Sequence, residues 1–179
     1  MLTIRFTRPE KKNALTLSMY RTMADALEAA RDDDSVRAVV IEGEPGVFTA
    51  GNDIADFLEG APAPGVAIND WPPFRFMEAL SAFDKPVVAA VTGVAVGIGV
   101  TMLLHCDLVY IADDARLASP FVALGLVPEF ASSLLLPQGE LHAELMRTVG
   151  MAGAGSVNGR VGCSRDRLDL LDPRDRSAR

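Results

Sequence analysis

The sequence predicts an α/β fold with buried parallel strands, and three observations support that prediction. Short β-branched runs alternate with segments of helical periodicity, and Gly and Pro residues punctuate the boundaries between them. Hydrophobic residues make up 49% of the 179 residues and charged residues 23%. This is enough apolar material for the core of one domain.

The first predicted unit is a strand, a helix and a second strand. Residues 2–6 (LTIRF) alternate as in a strand, and residues 15–33 have the period of an amphipathic helix. One face of this helix is predicted to be buried: Met19, Met23, Leu27 and Ala30. Residues 36–43 (VRAVVIEG) are β-branched, as is typical of a buried strand. This order indicates a right-handed parallel crossover.

The pattern repeats further along the chain. Residues 71–83 predict a helix, 86–91 a strand, 97–104 a helix and 107–112 another strand. Between the two units, residues 60–70 are rich in Gly, Ala and Pro and predict a loop or a mobile lid.

Composition narrows the class of function. The net charge of -7 argues against nucleic acid or an anionic membrane as the main partner. Cys106 and Cys163 are the only cysteines and predict no disulfide framework, and with two scattered histidines they predict no metal site. The N-terminus has no long apolar segment of the kind found in secretory signals or membrane anchors. We therefore expect a cytoplasmic protein.

Two glycine-rich segments are the strongest candidates for a functional site. In residues 48–54 (FTAGNDI) a glycine precedes Asn52 and Asp53, a polar pair that could cap a helix with free N–H groups. In residues 93–99 the spacing is G-x-x-x-G-x-G, which fits neither the dinucleotide fingerprint nor a P-loop. The spacing alone leaves two interpretations open, a helix–strand packing device and an anion site.

Four ordered segments, however, make the chain resemble a known family. They are residues 8–15 (RPEKKNAL), 48–54, 89–121 and 124–137 (LGLVPEFASSLLLP). They are similar to the enoyl-CoA hydratase/isomerase (crotonase) superfamily from about residue 2 to residue 137. The resemblance implies a crotonase-like ββα spiral of the ClpP/crotonase type, built from βαβ repeats with two roughly perpendicular sheets. It also implies assembly as a homotrimer or hexamer.

The resemblance divides the chain in two. Residues 1–137 are expected to form a crotonase-like acyl-CoA-binding core, and residues 138–179 an atypical C-terminal helix and tail. From residue 152 onward there are six arginines and no lysine, which predicts a poorly ordered tail or a short helix at residues 165–172. We therefore expect the chain to lack most of the family's C-terminal helical subdomain, and a shifted reading frame would explain this.

The resemblance also answers what the glycine motifs hold. In the family, two backbone N–H groups bind the thioester oxygen of an acyl-CoA, and they correspond to those of Asn52 and Ile98. Gly51, Gly97 and Gly99 would permit the close approach. The implied substrate-binding residues are Lys11, Ala14, Ala50, Gly51, Asn52, Asp53, Ile54 and Gly97. No cofactor is expected, because the acyl-CoA thioester is itself the substrate.

The expected base is a single carboxylate. The two glutamates of the family's hydratases fall at Thr101 and Phe121, so both are absent. Glu129 lies where the peroxisomal-type Δ3,Δ2-enoyl-CoA isomerases, which the chain resembles more closely, have their catalytic glutamate. The same residue has a second interpretation, since Pro128 followed by Glu129 is typical of a helix start. The helix dipole would lower the pKa of Glu129, whereas apolar neighbours at Phe121, Leu126 and Phe130 would raise it.

The favoured function is thus a Δ3,Δ2-enoyl-CoA isomerase of fatty acid metabolism. Two alternatives stay open, another reaction of the family through a thioester enolate and an impaired acyl-CoA-binding or oligomerisation protein. Arg8, Lys11 and Lys12 are expected either to meet CoA phosphates or to form a solvated loop. Asp53 is expected to cap a helix and His105 to be packed or at an interface.

Overall fold

Seven parallel strands in two sheets organise the part of the chain that the computed structural model describes, residues 1–60, 62 and 67–137. The larger sheet has the strand order β1-β2-β4-β6 and the smaller one β3-β5-β7. The larger sheet consists of β1 (Leu2–Arg5), β2 (Val39–Glu42), β4 (Val87–Val91) and β6 (Leu108–Ile111). The smaller consists of β3 (Val47–Thr49), β5 (Val94–Val96) and β7 (Arg116–Ala118).

Five helices connect or follow these strands in the described residues. They are α1 (Leu17–Asp32), α2 (Ile54–Glu59), α3 (Pro72–Ser81), α4 (Ile98–Thr101) and α5 (Ser132–Leu135). A 3₁₀ turn, Met102–His105, continues α4, so together they account for the helix predicted over residues 97–104. None of the helices in these ranges is long and apolar enough to cross a membrane.

The chain winds as a ββα spiral. After β1 and α1, each repeat places one strand in the larger sheet, the next strand in the smaller sheet, and then a helix. This confirms the spiral implied by the resemblance. The predicted strands all belong to the larger sheet. The strands of the smaller sheet have three residues each, which is too short for an alternating pattern to be recognised.

Helix α1 packs on α3 beneath the larger sheet. The Thr16 hydroxyl caps α1 by accepting a hydrogen bond from the Met19 N–H at 3.2 Å. Three of the four predicted face residues, Met23, Leu27 and Ala30, are buried, and Met19 is half-buried against the core. The ring of Tyr20, also fully buried, contacts Phe76 of α3 with ring centroids 5.6 Å apart.

The predicted loop over residues 60–70 is described only in part. It contains a 3₁₀ turn, Ile68–Asp70, and the Trp71 indole N–H donates to the Gly60 carbonyl at 2.8 Å. The prediction of a lid therefore rests on residues 61 and 63–66, which lie outside the described residues. The predicted C-terminal helix and tail, residues 138–179, also lie outside them.

Asn13 joins the loop after β1 to the smaller sheet. It is 0% exposed and has a positive φ of 53°. Its side-chain NH₂ donates to the carbonyls of Val47 (3.0 Å) and Phe48 (3.2 Å), and its side-chain oxygen accepts from the Arg8 N–H at 2.7 Å. Its own carbonyl accepts from the Thr49 hydroxyl at 2.7 Å. One buried amide therefore satisfies several backbone groups at once.

We predict that Asn13→Ala lowers the free energy of unfolding by about 2–4 kcal/mol. Three backbone groups lose a buried partner, and alanine tolerates the positive φ less well than asparagine. Urea unfolding followed by circular dichroism measures the change. The control is Asn69→Ala in the exposed 3₁₀ turn, expected to change stability by less than about 0.5 kcal/mol. Equal effects of the two substitutions would contradict the role given to Asn13.

Candidate active site

The first glycine motif is held in place by the segment that precedes α1. The Leu15 N–H donates to the Gly51 carbonyl at 2.7 Å, and the Asp53 N–H donates to the Leu15 carbonyl at 2.9 Å. Leu15 and Asn52 thus form an isolated parallel bridge. Gly51 has a φ of 90°, and a Cβ there would lie 3.0 Å from the Val96 carbonyl oxygen. Only glycine allows both this conformation and this contact.

That contact brings the two glycine motifs together, because Val96 directly precedes Gly97. A second contact joins them from the other side, where a Cβ at Gly99 would clash with the methyl group of Thr49. The pairing of β3 with β5 continues this contact along the smaller sheet. The two segments that the sequence suggested separately are therefore neighbours.

Two backbone N–H groups at this junction have no acceptor among the described residues. The Asn52 N–H lies between the two hydrogen-bonded groups of the Leu15 bridge and makes no hydrogen bond itself. The Ile98 N–H is the first of α4, and its neighbour Gly97 donates instead to the Ala118 carbonyl at 2.8 Å. First-turn N–H groups of a helix lack an intrahelical partner. Both groups are thus free to bind an anionic or carbonyl oxygen.

The Glu129 carboxyl group lies half-buried, three residues before α5. No hydrogen-bond donor or cation within the described ranges contacts its carboxylate. Burial, which disfavours the charged form, raises the pKa of Glu129 to about 7. The sequence left open whether the helix dipole would lower the pKa of Glu129 or burial would raise it. In the structure, burial raises it.

The interpretation of Glu129 as a helix start is wrong. Helix α5 begins at Ser132, and Phe130 and Ala131 adopt left-handed conformations with φ of 54° and 51°. Two such residues end any continuous helix between Glu129 and Ser132. One predicted apolar neighbour also differs, because Leu126 is 56% exposed.

The loop that carries Glu129 is anchored to the core through Phe130. The His105 ring stacks on the Phe130 ring with centroids 3.7 Å apart, and His105 Nε2 lies 3.0 Å from the Phe130 carbonyl oxygen. Burial lowers the pKa of His105, so the ring is neutral near pH 7 and donates through Nε2–H. The Ser132 hydroxyl donates to the Glu129 carbonyl at 2.6 Å. These contacts confirm that His105 is packed, and they offset the cost of the left-handed residues.

Tyr20, which the sequence analysis did not single out, contacts the Asn52 side chain. Its hydroxyl donates to the side-chain oxygen of Asn52. The pKa of Tyr20 is raised well above its ordinary value, first by burial and then by the negative charge of Glu129. The phenol group of Tyr20 thus binds Asn52 and is influenced by the charge of Glu129. The only signal in the sequence was a tyrosine next to an otherwise apolar helical stripe.

Arg8 and Asp53 form an ion pair at the edge of the site. The Arg8 guanidinium donates to Asp53 Oδ2 at 2.7 Å and to the Ala14 carbonyl at 3.0 Å. Asp53 also caps α2 by accepting from the Asp56 N–H at 3.4 Å, which confirms its predicted role as a cap. The hydrogen bond from Arg8 and the one from the Asp56 N–H lower the pKa of Asp53. Arg8 is thus already paired within the protein.

The other predicted substrate-binding residues surround this junction. Lys11 and Lys12 are exposed, so these cations of the loop face solvent. Ala50 is half-buried, and its N–H donates to the Lys12 carbonyl at 2.9 Å. Ile54, at the start of α2, is 66% exposed.

At the two positions where the resemblance places the hydratase carboxylates, this chain has uncharged side chains. Thr101 is fully buried in α4, and its hydroxyl has no hydrogen-bond partner among the described residues. Phe121 is half-buried. No cluster of three or more His, Cys, Asp or Glu side chains in the described ranges is placed to hold a metal ion.

Comparison with known proteins gives concordant results. The model of the enoyl-CoA hydratase/isomerase family matches residues 1–158. Human enoyl-CoA delta isomerase 2 is 41% identical over 139 residues, which cover 75% of this chain and 35% of the human protein. The 2,3-dehydroadipyl-CoA hydratase of Escherichia coli K12 is 36% identical over 128 residues, covering 72% of this chain and 49% of that enzyme.

A solved structure of similar sequence has the same fold. The structure of Pseudomonas aeruginosa OdaA superimposes with a TM-score of 0.75 at 52% identity, covering 87% of this chain and 62% of that one. The chain spans 35% and 49% of the two curated relatives named above. The matched family, the shared fold and the paired glycine motifs lead to one conclusion: the chain belongs to the enoyl-CoA hydratase/isomerase family and has the crotonase fold.

Proposed function

We propose that this protein is an enoyl-CoA isomerase that moves a double bond from the β,γ to the α,β position of an acyl-CoA in fatty acid metabolism. The observation that carries the proposal is the state of Glu129. Glu129 is a half-buried residue without a cationic partner in the described residues, its pKa is raised to about 7, and its charge acts on the Tyr20 hydroxyl that binds Asn52. A general base is most effective when its pKa lies near the working pH.

The backbone N–H groups of Asn52 and Ile98 form the proposed oxyanion hole. Removing a proton next to a thioester carbonyl places negative charge on the carbonyl oxygen. Donors that are already oriented stabilise this charge without reorganising, and each contributes on the order of 2.7–4 kcal/mol. Their lack of acceptors among the described residues supports this role.

The proposed reaction needs one base. Glu129 removes a proton from C2 of the 3-enoyl-CoA, and the resulting dienolate is held by the two N–H groups. The same carboxyl group then returns the proton to C4, which gives the 2-enoyl-CoA. Hydration would also require a positioned water and a second acid–base group. Thr101 and Phe121 supply no carboxylate for that purpose.

The hydratase relative favours a second candidate, another reaction through a thioester enolate at the same site. An acyl-CoA-binding protein without catalysis is the third. Lys11 and Lys12, both exposed, are proposed to meet the CoA phosphates. The contacts of Ala14, Ala50, Gly51, Asp53, Ile54 and Gly97 with substrate, like the trimeric or hexameric assembly and the cytoplasmic location, stay predictions.

The first prediction from the proposed function concerns the choice of reaction. The purified protein should convert 3-enoyl-CoA to 2-enoyl-CoA and should hydrate 2-enoyl-CoA only near the background rate. A coupled spectrophotometric assay supplied separately with each thioester measures both rates. Robust hydration would favour the second candidate, and tight binding of either thioester without turnover would favour the third.

The second prediction concerns the base. Glu129→Gln keeps the size of the side chain but removes the proton acceptor, so kcat should fall by roughly 100-fold or more. In the wild type, kcat/KM should rise about tenfold per pH unit and level off above the Glu129 pKa of about 7, because only the ionised carboxylate accepts a proton.

The matched control is Glu78→Gln, which neutralises an exposed carboxylate on α3 and should leave both kinetic constants unchanged. A Glu129→Gln variant as active as the wild type would exclude Glu129 as the base. A wild-type kcat/KM that does not change with pH near 7 would also argue against Glu129 as the base.

The third prediction concerns stability. The pKa of Glu129 is raised from 4.5 to about 7 on folding, so the folded state resists its ionisation. The protonated carboxyl group makes its full contribution to the free energy of unfolding below about pH 4.5. This contribution is lost as the pH rises through 7. Glu129→Gln should therefore stabilise the protein near pH 8 by on the order of 1–3 kcal/mol and have little effect near pH 4. Thermal unfolding of both proteins at both pH values measures the change. Destabilisation by Glu129→Gln near pH 8 would contradict the prediction.

A further inference from the structure

Arg8 is joined to the proposed oxyanion donor by two peptide units in series. Its guanidinium Nη1 donates to the Ala14 carbonyl at 3.0 Å. The peptide unit of that carbonyl carries the Leu15 N–H, which donates to the Gly51 carbonyl at 2.7 Å. The peptide unit of the Gly51 carbonyl in turn carries the Asn52 N–H, which has no acceptor among the described residues. Every hydrogen bond in this series donates toward the candidate site.

We propose that Arg8 is a positioning residue that strengthens the Asn52 N–H as a hydrogen-bond donor by polarising these two peptide units. The inference rests on the proposed function, because it takes the Asn52 N–H to bind the thioester oxygen. The sequence analysis offered Arg8 only as a contact of the CoA phosphates or as part of a solvated loop. The inference instead gives it an effect on the chemical step.

The common direction of the hydrogen bonds produces this effect. In a trans peptide unit the C=O and the N–H point in opposite directions, so a donor bound at the oxygen draws electron density away from the N–H. Such polarisation strengthens each hydrogen bond of a chain by about 10–30%. Arg8 begins the chain with a charged donor, whose hydrogen bonds are roughly twice as strong as those of a neutral one. The Asn52 N–H should therefore bind a developing oxyanion more strongly than an isolated amide would.

The backbone and the side chain of Arg8 are both held in place. Its backbone N–H donates to the Asn13 side-chain oxygen at 2.7 Å, and its carbonyl accepts from the Asn13 N–H at 2.8 Å. Its guanidinium also donates to Asp53 Oδ2 at 2.7 Å. The side chains of Arg8 and Asp53 are 27% and 18% exposed, so solvent screens their charges incompletely. These contacts keep a charged N–H on the Ala14 carbonyl.

The Asp53 carboxylate provides a competing explanation for any effect of Arg8. Loss of Arg8 would leave an uncompensated negative charge one residue from Asn52, and that charge would itself oppose an oxyanion. A double variant that also neutralises Asp53 distinguishes the two causes. Recovery of activity in the double variant would assign the effect to the Asp53 charge. A loss that persists is expected only if the polarised peptide units matter.

Kinetics of single and double variants test the proposal. Arg8→Met removes the charged donor and should lower kcat by about three- to tenfold. This is a fraction of the roughly 10²–10³-fold lost when a whole oxyanion donor is removed. KM should change less than kcat, and the double variant Arg8→Met with Asp53→Asn should keep the loss in kcat. Arg8→Lys retains a charged N–H donor and should lose less than Arg8→Met.

The matched control is Arg5→Met, which removes the arginine three residues earlier. Arg5 is exposed and binds the Glu42 carboxylate at 2.6 Å, so this change also breaks an ion pair. It should retain wild-type kcat. A raised KM with unchanged kcat in Arg8→Met would indicate a CoA contact alone and would overturn the proposal. Recovery of kcat in the double variant would overturn it as well.

An infrared measurement separates this inference from the proposed reaction. The probe is butyryl-CoA labelled isotopically at its carbonyl carbon, which has no double bond to move. Its carbonyl stretch should lie at lower frequency in the wild-type complex than in solution, and Arg8→Met should lose part of this shift. Glu129→Gln and Arg5→Met should keep the full shift. Weaker binding alone would change the amount of complex but not the frequency of the bound carbonyl.

The possible infrared results have different consequences. A full shift in the Arg8→Met complex would overturn the role of Arg8 and leave the proposed reaction intact. The lack of any shift in the wild-type complex would refute the oxyanion hole itself, whereas an active Glu129→Gln enzyme would refute only the proposed base. If Arg8→Met does not fold, Arg8→Gln replaces it, because its amide N–H is a neutral donor. It should also lose part of the shift, and a full shift there would overturn the proposal.

Discussion

The close contact between the two glycine motifs is the constraint on which the site depends. Gly51 approaches the Val96 carbonyl, and Gly99 approaches Thr49, so neither position has room for a side chain. These contacts lie where β3 and β5 of the smaller sheet end and where α2 and α4 begin. The ββα spiral thus brings together two backbone donors, those of Asn52 and Ile98, which have no acceptor among the described residues and lie more than forty residues apart in sequence. A site built from backbone groups depends on packing rather than on side-chain chemistry.

Glu129, the proposed base, is positioned by a loop. Glu129 lies in a loop whose next two residues are left-handed, and this conformation is held by the stack of His105 on Phe130 and by the contact of Phe130 with Phe76. Phe76 also packs against Tyr20, which in turn binds Asn52. A continuous series of aromatic contacts, ending in one hydrogen bond, therefore joins the loop of Glu129 to the side chain of Asn52. Positioning of both groups relies on the same part of the core.

Periodicity predicted the long elements, because α1, α3 and the larger sheet each bury one face over several residues. It did not predict β3, β5 and β7, whose three residues carry no recognisable pattern. The helix start assigned to Glu129 failed for a physical reason: Phe130 is stabilised in a left-handed conformation by His105, twenty-five residues earlier in the chain. Tyr20 and Asn13 were missed for the same reason, since their roles lie in long-range hydrogen bonds. The family resemblance supplied the candidate roles of Asn52, Ile98 and Glu129.

Electrostatics also bears on why a single carboxylate suits this site. The pKa of Glu129 is raised to about 7 by burial. A second ionised carboxylate close by would disfavour ionisation of both and would push one pKa higher still. The base would then be protonated over more of the neutral pH range. Thr101 and Phe121 carry no charge, so neither side chain can add such coupling. The absence of the hydratase carboxylates is therefore compatible with the proposed one-base isomerisation.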